Sequence, residues 1–356
     1  MMGGLLIRGG TIVNEGESYR GWIVVEDERI ARTGRGDYPR PEFDGETIDA
    51  EGMYVLPGVI DDQVHFREPG LTYKGDLHSE SIAAAAGGVT SYMDMPNVKP
   101  PTVTNALLEE KLERAAETSV VNYSFYLGAT VDNIDEIIEA ADGIMIARGD
   151  MGVEIPPEYV PVIQQKIIQK VYTAGKPVIT ATQMLDSMIS HPRPTRAEAT
   201  DVANAIFQGT SATMLSGETA AGKYPVQALQ MMSRIAEHME QNIDYNTIFK
   251  KTDRNENPDI TNAIAHATCL TAIDLKASAI LAVTKSGSTA HMMSKHRPGC
   301  LIGACTSSER VLRQLNLSWG VYPMLIKEEY SSEILCLRAI EAAQKHKLVK
   351  VGDTIV

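Results

Sequence analysis

The sequence predicts an α/β fold with parallel sheets, and two features of the chain lead to that prediction. Between residues 55 and 241, short apolar segments alternate with longer amphipathic segments, and no Pro/Gly/Ser-rich linker interrupts them. Such alternation is typical of parallel strands that are joined by crossover helices. After a polar stretch over 242–258, which we interpret as a domain connection, the alternation returns over 259–356 and predicts a smaller three-layer α/β domain.

The first 54 residues have a different rhythm and predict a small N-terminal β-sheet. Short apolar runs at 5–7, 11–13 and 21–25 are separated by segments that contain turn residues. Runs of this length between turn signals indicate short strands. We therefore expect a partial β-sandwich-like segment over residues 1–54.

Three βα units follow over residues 55–135, and we interpret them as one half of a barrel. Continuous apolar runs predict buried strands, and apolar positions at helical spacing predict the helices between them. The predicted strands are 54–61, 88–95 and 120–128, and the predicted helices are 76–87 and 104–117.

Residues 136–241 contain three further βα units and predict a second half barrel. Two halves of three units fall short of the eight units that close a TIM barrel. We therefore expect a TIM-barrel-like fold assembled from two partial barrels, whose open sheet edges favour a homo-oligomer or aggregation. The predicted strands are 143–147, 178–181 and 212–215, and the predicted helices are 159–173, 196–207 and 226–241.

Charge and composition exclude several classes of protein. The formal net charge is −13 and the sequence pI is about 5.1, so the surface repels the phosphate backbone of nucleic acids. No apolar run reaches the roughly 18 residues that a membrane span needs, and we expect no membrane partner. The four cysteines form no Cys-x-x-Cys pair, which is typical of thiols in a reducing compartment, and we expect a cytoplasmic protein.

A histidine near the front of the chain suggests a first candidate site. His65 follows Gln63 by two residues on one predicted strand, so the two side chains point to the same face. The run Asp-Asp-Gln-Val-His-Phe-Arg-Glu-Pro-Gly at 61–70, with Met-Pro-Asn at 95–97, resembles the dihydroorotase family of the amidohydrolase superfamily. The resemblance covers about residues 1–135 and implies metal-dependent hydrolysis of a cyclic amide.

The same resemblance implies individual roles for three residues. His65 would be a zinc ligand, and Arg67 and Asn97 would bind the substrate carboxylate. The family's later strands supply a carboxylated lysine, two histidines and a catalytic aspartate, and these do not follow in this sequence. The dihydroorotase-like site is therefore incomplete, since one protein ligand does not hold a zinc ion.

Polar residues that follow strands in the middle of the chain form a second candidate site. Gly149 lets a ligand approach the backbone closely, and Asp150 offers the hard oxygen that Mg²⁺ prefers. Four motifs in this order resemble pyruvate kinase, from about residue 133 to the C-terminus. They are Ile-Ala-Arg-Gly-Asp-Met-Gly-Val-Glu-Ile-Pro at 146–156, Ile-Thr-Ala-Thr-Gln-Met-Leu at 179–185, Arg-Pro-Thr-Arg-Ala-Glu at 193–198 and Leu-Ser-Gly-Glu-Thr-Ala at 215–220.

The resemblance to pyruvate kinase implies phosphoryl transfer from phosphoenolpyruvate to ADP with Mg²⁺ and K⁺. Amides around Gly149 and Asp150 would bind the substrate carboxylate, Asp150 would hold Mg²⁺, and the Thr182 hydroxyl would lie beside the enolate carbon. The family's preceding strand carries a lysine and a second metal-binding glutamate, whose places Ser124 and Tyr126 occupy here. Because phosphoryl transfer depends on neutralising charge, we expect impaired catalysis.

A loop in the C-terminal α/β domain forms a third candidate site. It follows the predicted strand 280–283 and opens a helix, where hydroxyls, amides and a lysine favour a phosphate. The resemblance implies a regulatory loop for a sugar phosphate effector, in a domain that we expect to be truncated relative to the family. The candidate residues are Thr284, Lys285, Ser286, Ser288 and Thr289.

Together these motifs favour a chimera with a junction near 130–141. Residues 1–135 are dihydroorotase-like, and residues 133–356 are pyruvate-kinase-like. Three functions stay open: a pyruvate-kinase-like phosphotransferase with impaired catalysis, a dihydroorotase-like amide hydrolase, and a non-catalytic protein that binds small anions. The partners expected are phosphoenolpyruvate, ADP and a sugar phosphate.

Overall fold

The predicted α/β class is confirmed by three parallel sheets of three strands each, which accompany one five-stranded mixed sheet in the described part of the chain. The chain divides into two compact units, Met1–Thr130 and Val131–Val356. A computed structural model describes residues 4–27, 29–130, 133–252 and 260–356.

The N-terminal sheet forms around an antiparallel hairpin. Its two-residue turn, Glu15 and Gly16, has positive φ at both positions (49° and 79°), which suits the right-handed twist of the flanking strands. Leu6 lies opposite Val24 in the register, and both side chains are buried. The strands are β1 (Gly4–Asn14), β2 (Glu17–Glu26), β3 (Arg29–Arg35), β4 (Gly45–Asp49) and β5 (Tyr54–Val55), with β4 and β5 parallel to β1.

The first three-stranded parallel sheet completes the N-terminal unit. Its core contains Phe66, Leu77, Tyr92 and Phe125, and the Phe66 and Tyr92 rings lie 4.4 Å apart. Asp76 begins the first helix with a capping box, because its carboxylate accepts from the Ser79 amide at 2.7 Å. The elements are β6 (Val59–Val64), α1 (Leu77–Ala86), β7 (Val89–Asp94), α2 (Asn105–Thr118) and β8 (Asn122–Phe125).

The structure corrects the expected burial at the start of this sheet. The apolar run at 54–61 predicts one buried strand, but its first part belongs to β5 and pairs with β1. Val59 and Ile60, which begin β6, are 50% and 68% exposed. The reason is that β6 is an edge strand, hydrogen-bonded to β7 on one side.

The second unit opens with the sheet β9-β10-β11. Its helices agree with the predicted spans within one residue at 159–173, 196–207 and 226–241. The sequence did not predict the two short helices around 134–140 and 217–220. The elements are α3 (Ile134–Ala140), β9 (Ile144–Ala147), α4 (Arg148–Glu154), α5 (Val160–Thr173), β10 (Val178–Ala181), α6 (Arg196–Phe207), β11 (Ala212–Met214), α7 (Gly217–Ala220) and α8 (Pro225–Gln241).

The C-terminal part of this unit has its own parallel sheet, β12-β13-β14. The predicted polar connection 242–258 contains a helix, α9. Phe249 on this helix is buried against the C-terminal core, which explains why the segment is ordered into a helix there. Residues 253–258 of that connection lie outside the described part. The elements are α9 (Tyr245–Thr252), α10 (Ile260–Asp274), β12 (Ala279–Val283), α11 (Ser288–His296), β13 (Leu301–Thr306), α12 (Glu309–Gln314), β14 (Val321–Leu325) and α13 (Ser332–Lys345).

Candidate active site

The ends of β9 and β10 bring Gly149 and Thr182 into contact. These strands pair in parallel, so the residues that follow them lie at the same edge of the sheet. The Gly149 amide donates to the Thr182 hydroxyl at 2.7 Å, and that hydroxyl donates to the Ala181 carbonyl at 2.7 Å. The amide to which the resemblance assigns a substrate carboxylate therefore binds the Thr182 side chain in this structure.

The backbone at this contact is strained. Thr182 and Gln183 have φ of 65° and 51°, in the left-handed region. That region is unfavourable for a β-branched residue, at a cost of about 1–3 kcal/mol. Such strain persists where surrounding contacts enforce it, and it concentrates at active sites and ligand-binding sites.

Arg148 supplies those surrounding contacts. Its side chain is only 8% exposed and donates from Nη2 to the carbonyls of Thr182 at 2.7 Å and Gln183 at 3.1 Å. Its Nε lies 3.3 Å from the Ala181 carbonyl, and its Nη1 pairs with Asp201 at 2.6 Å. Sequence reasoning gave Arg148 no role, although a cation directly after a buried strand was a signal that it needed a buried partner.

A buried carboxylate holds the same loop from the side of β11. Glu218 is 2% exposed, and its two oxygens accept from the amides of Leu185 at 2.9 Å and Ser216 at 2.8 Å. Hydrogen bonds to an ionised acceptor are stronger than those between neutral groups. Glu218 therefore links the end of β11 to the loop after β10.

Glu198 fixes the segment that precedes α6. Its carboxylate accepts from the amide and hydroxyl of Ser187 at 2.7 and 2.6 Å, and from those of Thr195 at 2.7 and 2.9 Å. Burial raises the pKa of Glu198, but these hydrogen bonds outweigh burial and leave the pKa below its ordinary value of 4.5. The charged form is therefore the one that the fold stabilises.

We expect the Glu198→Gln variant to unfold with a free energy about 1 kcal/mol lower than the parent at neutral pH. The depressed pKa contributes stability that is complete above pH 4.5, the unfolded value, and is lost as pH falls through the folded value. The difference in free energy of unfolding between the parent and the variant should therefore become smaller below pH 4.5. Urea unfolding at pH 7 and at pH 4 measures it, with the exposed Glu158→Gln as control. An equal gap at both pH values would contradict the prediction.

Asp150 lies in the first turn of α4 and is partly buried. Within the described ranges, no group of three or more His, Cys, Asp or Glu side chains could hold a metal ion. Mg²⁺ commonly uses one or two carboxylates and completes its shell with water and substrate oxygens. The Mg²⁺-binding role of Asp150 therefore stays a prediction.

The front of the chain brings its three predicted residues together. His65 Nδ1 lies 2.9 Å from the Asn97 amide oxygen, and Arg67 donates to the Asn97 carbonyl at 3.4 Å. Zinc sites in proteins use three or four ligands from His, Cys, Asp or Glu side chains. Among the described residues, no group of three or more of these side chains could hold a metal ion here. The arrangement does not fit a zinc site, and the carboxylate-binding role of Arg67 and Asn97 stays a prediction.

A buried ion pair lies behind these residues. The Lys111 ammonium lies 2.7 Å from the Asp94 carboxylate, and their side chains are 2% and 0% exposed. Asp94 also accepts from the Phe66 amide at 2.9 Å, and Lys111 lies over the Phe125 ring at 4.8 Å. The pair ties α2 to the ends of β6 and β7, and no local sequence pattern predicts a role for Lys111.

Ser124 and Tyr126 have the neutral character that the sequence predicts. Ser124 is exposed on β8. The Tyr126 hydroxyl donates to the Asp62 carbonyl at 2.9 Å, and burial raises the Tyr126 pKa to about 12. Neither side chain supplies the positive charge or the carboxylate that phosphoryl transfer requires.

The candidate phosphate loop forms a compact turn before α11. The Thr284 hydroxyl accepts from the Gly287 amide at 2.9 Å, and Gly287 has φ of 88°, a conformation that favours glycine. Lys285 is exposed, 3.4 Å from Glu328. Ser288 and Thr289 begin the helix, and Ser286 accepts from the Ser288 amide at 3.4 Å. The predicted residues therefore lie in one turn, and their ligand stays a prediction.

Comparison with family models finds two kinds of similarity. Residues 126–229 match the model "Pyruvate kinase, barrel domain", and residues 262–356 match "Pyruvate kinase, alpha/beta domain". Residues 52–151 match a model described as "Dihydro-orotase-like". The two kinds of match overlap over 126–151, which includes the whole of the predicted junction near 130–141.

Individual relatives agree with the pyruvate kinase matches. Pyruvate kinase from Sporosarcina psychrophila is 55% identical over 226 residues, which cover 64% of this chain and 39% of that protein. Pyruvate kinase from Clostridium acetobutylicum is 51% identical over 226 residues, with 64% and 48% covered. Pyruvate kinase from Staphylococcus epidermidis RP62A is 46% identical over 316 residues, with 88% and 52% covered.

The chain spans about half or less of the length of these curated relatives. In the described ranges, no helix is both long and apolar enough to cross a membrane. This protein therefore has a mixed domain composition, in which a dihydro-orotase-like segment precedes segments similar to the barrel and α/β domains of pyruvate kinase.

Proposed function

We propose that the protein binds an enolpyruvate-like carboxylate at Gly149, Asp150 and Thr182, as a pyruvate-kinase-like phosphotransferase with impaired turnover. The observation that carries the proposal is the strained Thr182 backbone, whose hydroxyl contacts the Gly149 amide at 2.7 Å. Strain of this kind is retained where function requires it. Relatives named pyruvate kinase, about half identical over 226 residues, support the assignment.

Each of the three residues has a distinct task in this proposal. The Gly149 amide exchanges the Thr182 hydroxyl for a substrate carboxylate oxygen, which is a stronger acceptor because it is charged. The released hydroxyl then positions a proton near the enolate carbon. Asp150 would hold Mg²⁺, which neutralises charge on the substrate oxygens when bound. ADP and K⁺ belong to the proposal through the family resemblance, since the sequence offers no candidate residues for them.

Thermal unfolding with Mg²⁺ and oxalate tests this proposal, because oxalate mimics the enolpyruvate carboxylate. We expect the pair to raise Tm, by about 2–4 °C for each kcal/mol of binding free energy. Asp150→Asn should lose the increase, whereas the exposed Asp186→Asn should keep it. Thr182→Ala should keep or enlarge it, because this variant removes the hydroxyl that competes with oxalate for the Gly149 amide. Oxalate without Mg²⁺ should have a smaller effect. If the parent Tm does not respond to the pair at any oxalate concentration, the proposal is wrong.

A second candidate function, binding of a phosphate-bearing effector at Thr284–Thr289, rests on the compact turn before α11. The Thr284 and Ser286 hydroxyls there accept hydrogen bonds from the backbone amides of Gly287 and Ser288. These two bonds hold the loop at the N-terminus of α11. A sugar bisphosphate titration followed by calorimetry would measure this binding. Ser286→Ala and Lys285→Gln should both weaken this binding. A dissociation constant that is the same in both variants as in the parent would contradict the second candidate function.

A further inference from the structure

A polar cleft lies within the second unit, between residues of the half barrel and residues near the C-terminal end of α11. Three cationic side chains line it, Lys176, Lys295 and Arg297, together with the imidazole of His291. No aspartate or glutamate is among the residues that line the cleft, although the chain as a whole carries a net charge of −13.

Arg297 is the most deeply buried of these cations. Its side chain is 7% exposed, and its guanidinium donates to the Gly209 carbonyl at 2.8 Å and lies over the Trp319 ring at 4.2 Å. No carboxylate forms an ion pair with it in the described part of the chain. Burial lowers its pKa to about 10, with Tyr172 and Glu240 among the groups that partly offset burial. A buried cation without a paired anion is costly.

Two lysines line the cleft together with the arginine. Lys176 follows the turn after α5 and donates to the carbonyls of Glu139 at 2.5 Å and Ala141 at 2.7 Å. Lys295 lies in the last turn of α11, where a cation also complements the helix dipole. The dipole accounts for Lys295 on its own, but it does not account for the burial of Arg297 beside it.

Hydroxyls and an imidazole complete the lining. Ser318 lies 2.9 Å from His291 Nδ1, and Ser211 accepts from the Val178 amide at 3.1 Å. Burial lowers the pKa of His291, with Asp142 opposing it, so the ring is mainly neutral near pH 7 and can donate one hydrogen bond. Cations with neutral donors are the usual lining of an oxyanion site.

We infer that this cleft binds a small oxyanion of phosphate size, either the free ion or the phosphate group of a monoester. The site differs from the loop Thr284–Thr289, because no residue of that loop is among those that line the cleft. A dianion would offset the charge of Arg297 and connect the half barrel to the α/β domain.

Phosphate titrations of two matched lysine variants test the inference. Lys295→Gln removes a charge from the cleft, and Lys285→Gln removes one from the rival loop on the same helix. By calorimetry we expect Lys295→Gln to weaken inorganic phosphate binding about tenfold, as for a lost charge-assisted hydrogen bond. Lys285→Gln should leave the dissociation constant unchanged. Weakening by Lys285→Gln alone would place the phosphate at the loop and overturn the inference, as would no binding by the parent.

A labelling experiment on the parent protein covers the case in which Lys295→Gln does not fold. Phosphate should protect Lys295 from acetylation, with the exposed Lys285 as an internal reference in the same digest. Equal acetylation of Lys295 with and without phosphate would overturn the inference. Glycerol phosphate and inorganic phosphate, titrated side by side, identify the source: tighter binding of one of them assigns the site to a monoester or to the free ion. If sodium chloride at equal ionic strength protects Lys295 from acetylation as well as phosphate does, the protection comes from ionic screening alone. That result would also overturn the inference.

Discussion

Purified protein should form pyruvate from phosphoenolpyruvate and ADP ~10²–10⁴-fold more slowly than the Sporosarcina psychrophila enzyme assayed beside it. By the resemblance to pyruvate kinase, Ser124 and Tyr126 stand where that family has a lysine and a metal-binding glutamate, and neither side chain supplies a charge. The developing charge on the transferred phosphoryl group would therefore lack a cation and a metal-binding carboxylate. Lactate dehydrogenase with NADH, at high concentrations of the protein, measures the rate.

A variant that restores both charges sharpens this prediction. Ser124→Lys with Tyr126→Glu should raise the rate at least tenfold if these two positions limit turnover. The matched control Ser124→Gln with Tyr126→Gln changes the same positions without adding charge, and should stay at the parent rate. A parent rate equal to that of the Sporosarcina psychrophila enzyme would show that a lysine and a glutamate are not needed at these positions, and the predicted impairment would be wrong.

Arg148→Met should lower the free energy of unfolding by about 1–3 kcal/mol, because the backbone carbonyls that accept from its guanidinium would lose their donor. The guanidinium holds the carbonyls of Thr182 and Gln183 in the left-handed conformation and pairs with Asp201. Without it, the strained turn should relax toward ordinary φ values. The contact between the Thr182 hydroxyl and the Gly149 amide should then be lost.

Urea unfolding measures the change in stability, and the oxalate–Mg²⁺ increase in Tm measures the site. Arg196→Met is the control, because Arg196 is exposed at the start of α6 and should change stability by less than about 0.5 kcal/mol. Arg148→Lys keeps the charge without the planar fork and should recover only part of the loss. If Arg148→Met unfolds like the parent and still responds to oxalate, the anchoring role of Arg148 is wrong.

Local sequence signals predicted most of the secondary structure. The helices over 159–173, 196–207 and 226–241 lie within one residue of their predicted bounds. These segments carry start signals that act locally, such as the capping box at Thr195 and the proline at the first position of α8. The short helix α4 was less predictable, since it begins at Arg148 without a side-chain cap.

Burial was harder to predict than secondary structure. The apolar run at 54–61 reads as one buried strand, yet Val59 and Ile60 are half or more exposed. An apolar run predicts burial on the assumption that the strand has a neighbour on each side. The order of the strands in the sheet, which the sequence does not give, makes β6 an edge strand. The exposed apolar surface agrees with the expectation of self-association, which stays a prediction.

The sequence by itself determined the α/β class and the motifs that follow each strand, because periodicity, caps and strand-end residues are local properties of the chain. Only the tertiary structure decided how these motifs are held. The contact between Gly149 and Thr182, its anchoring by Arg148, and the cationic cleft at Arg297 join residues that lie about 30 to 90 positions apart. The physical reason is that a buried charge needs partners from distant segments, and only packing brings those segments together.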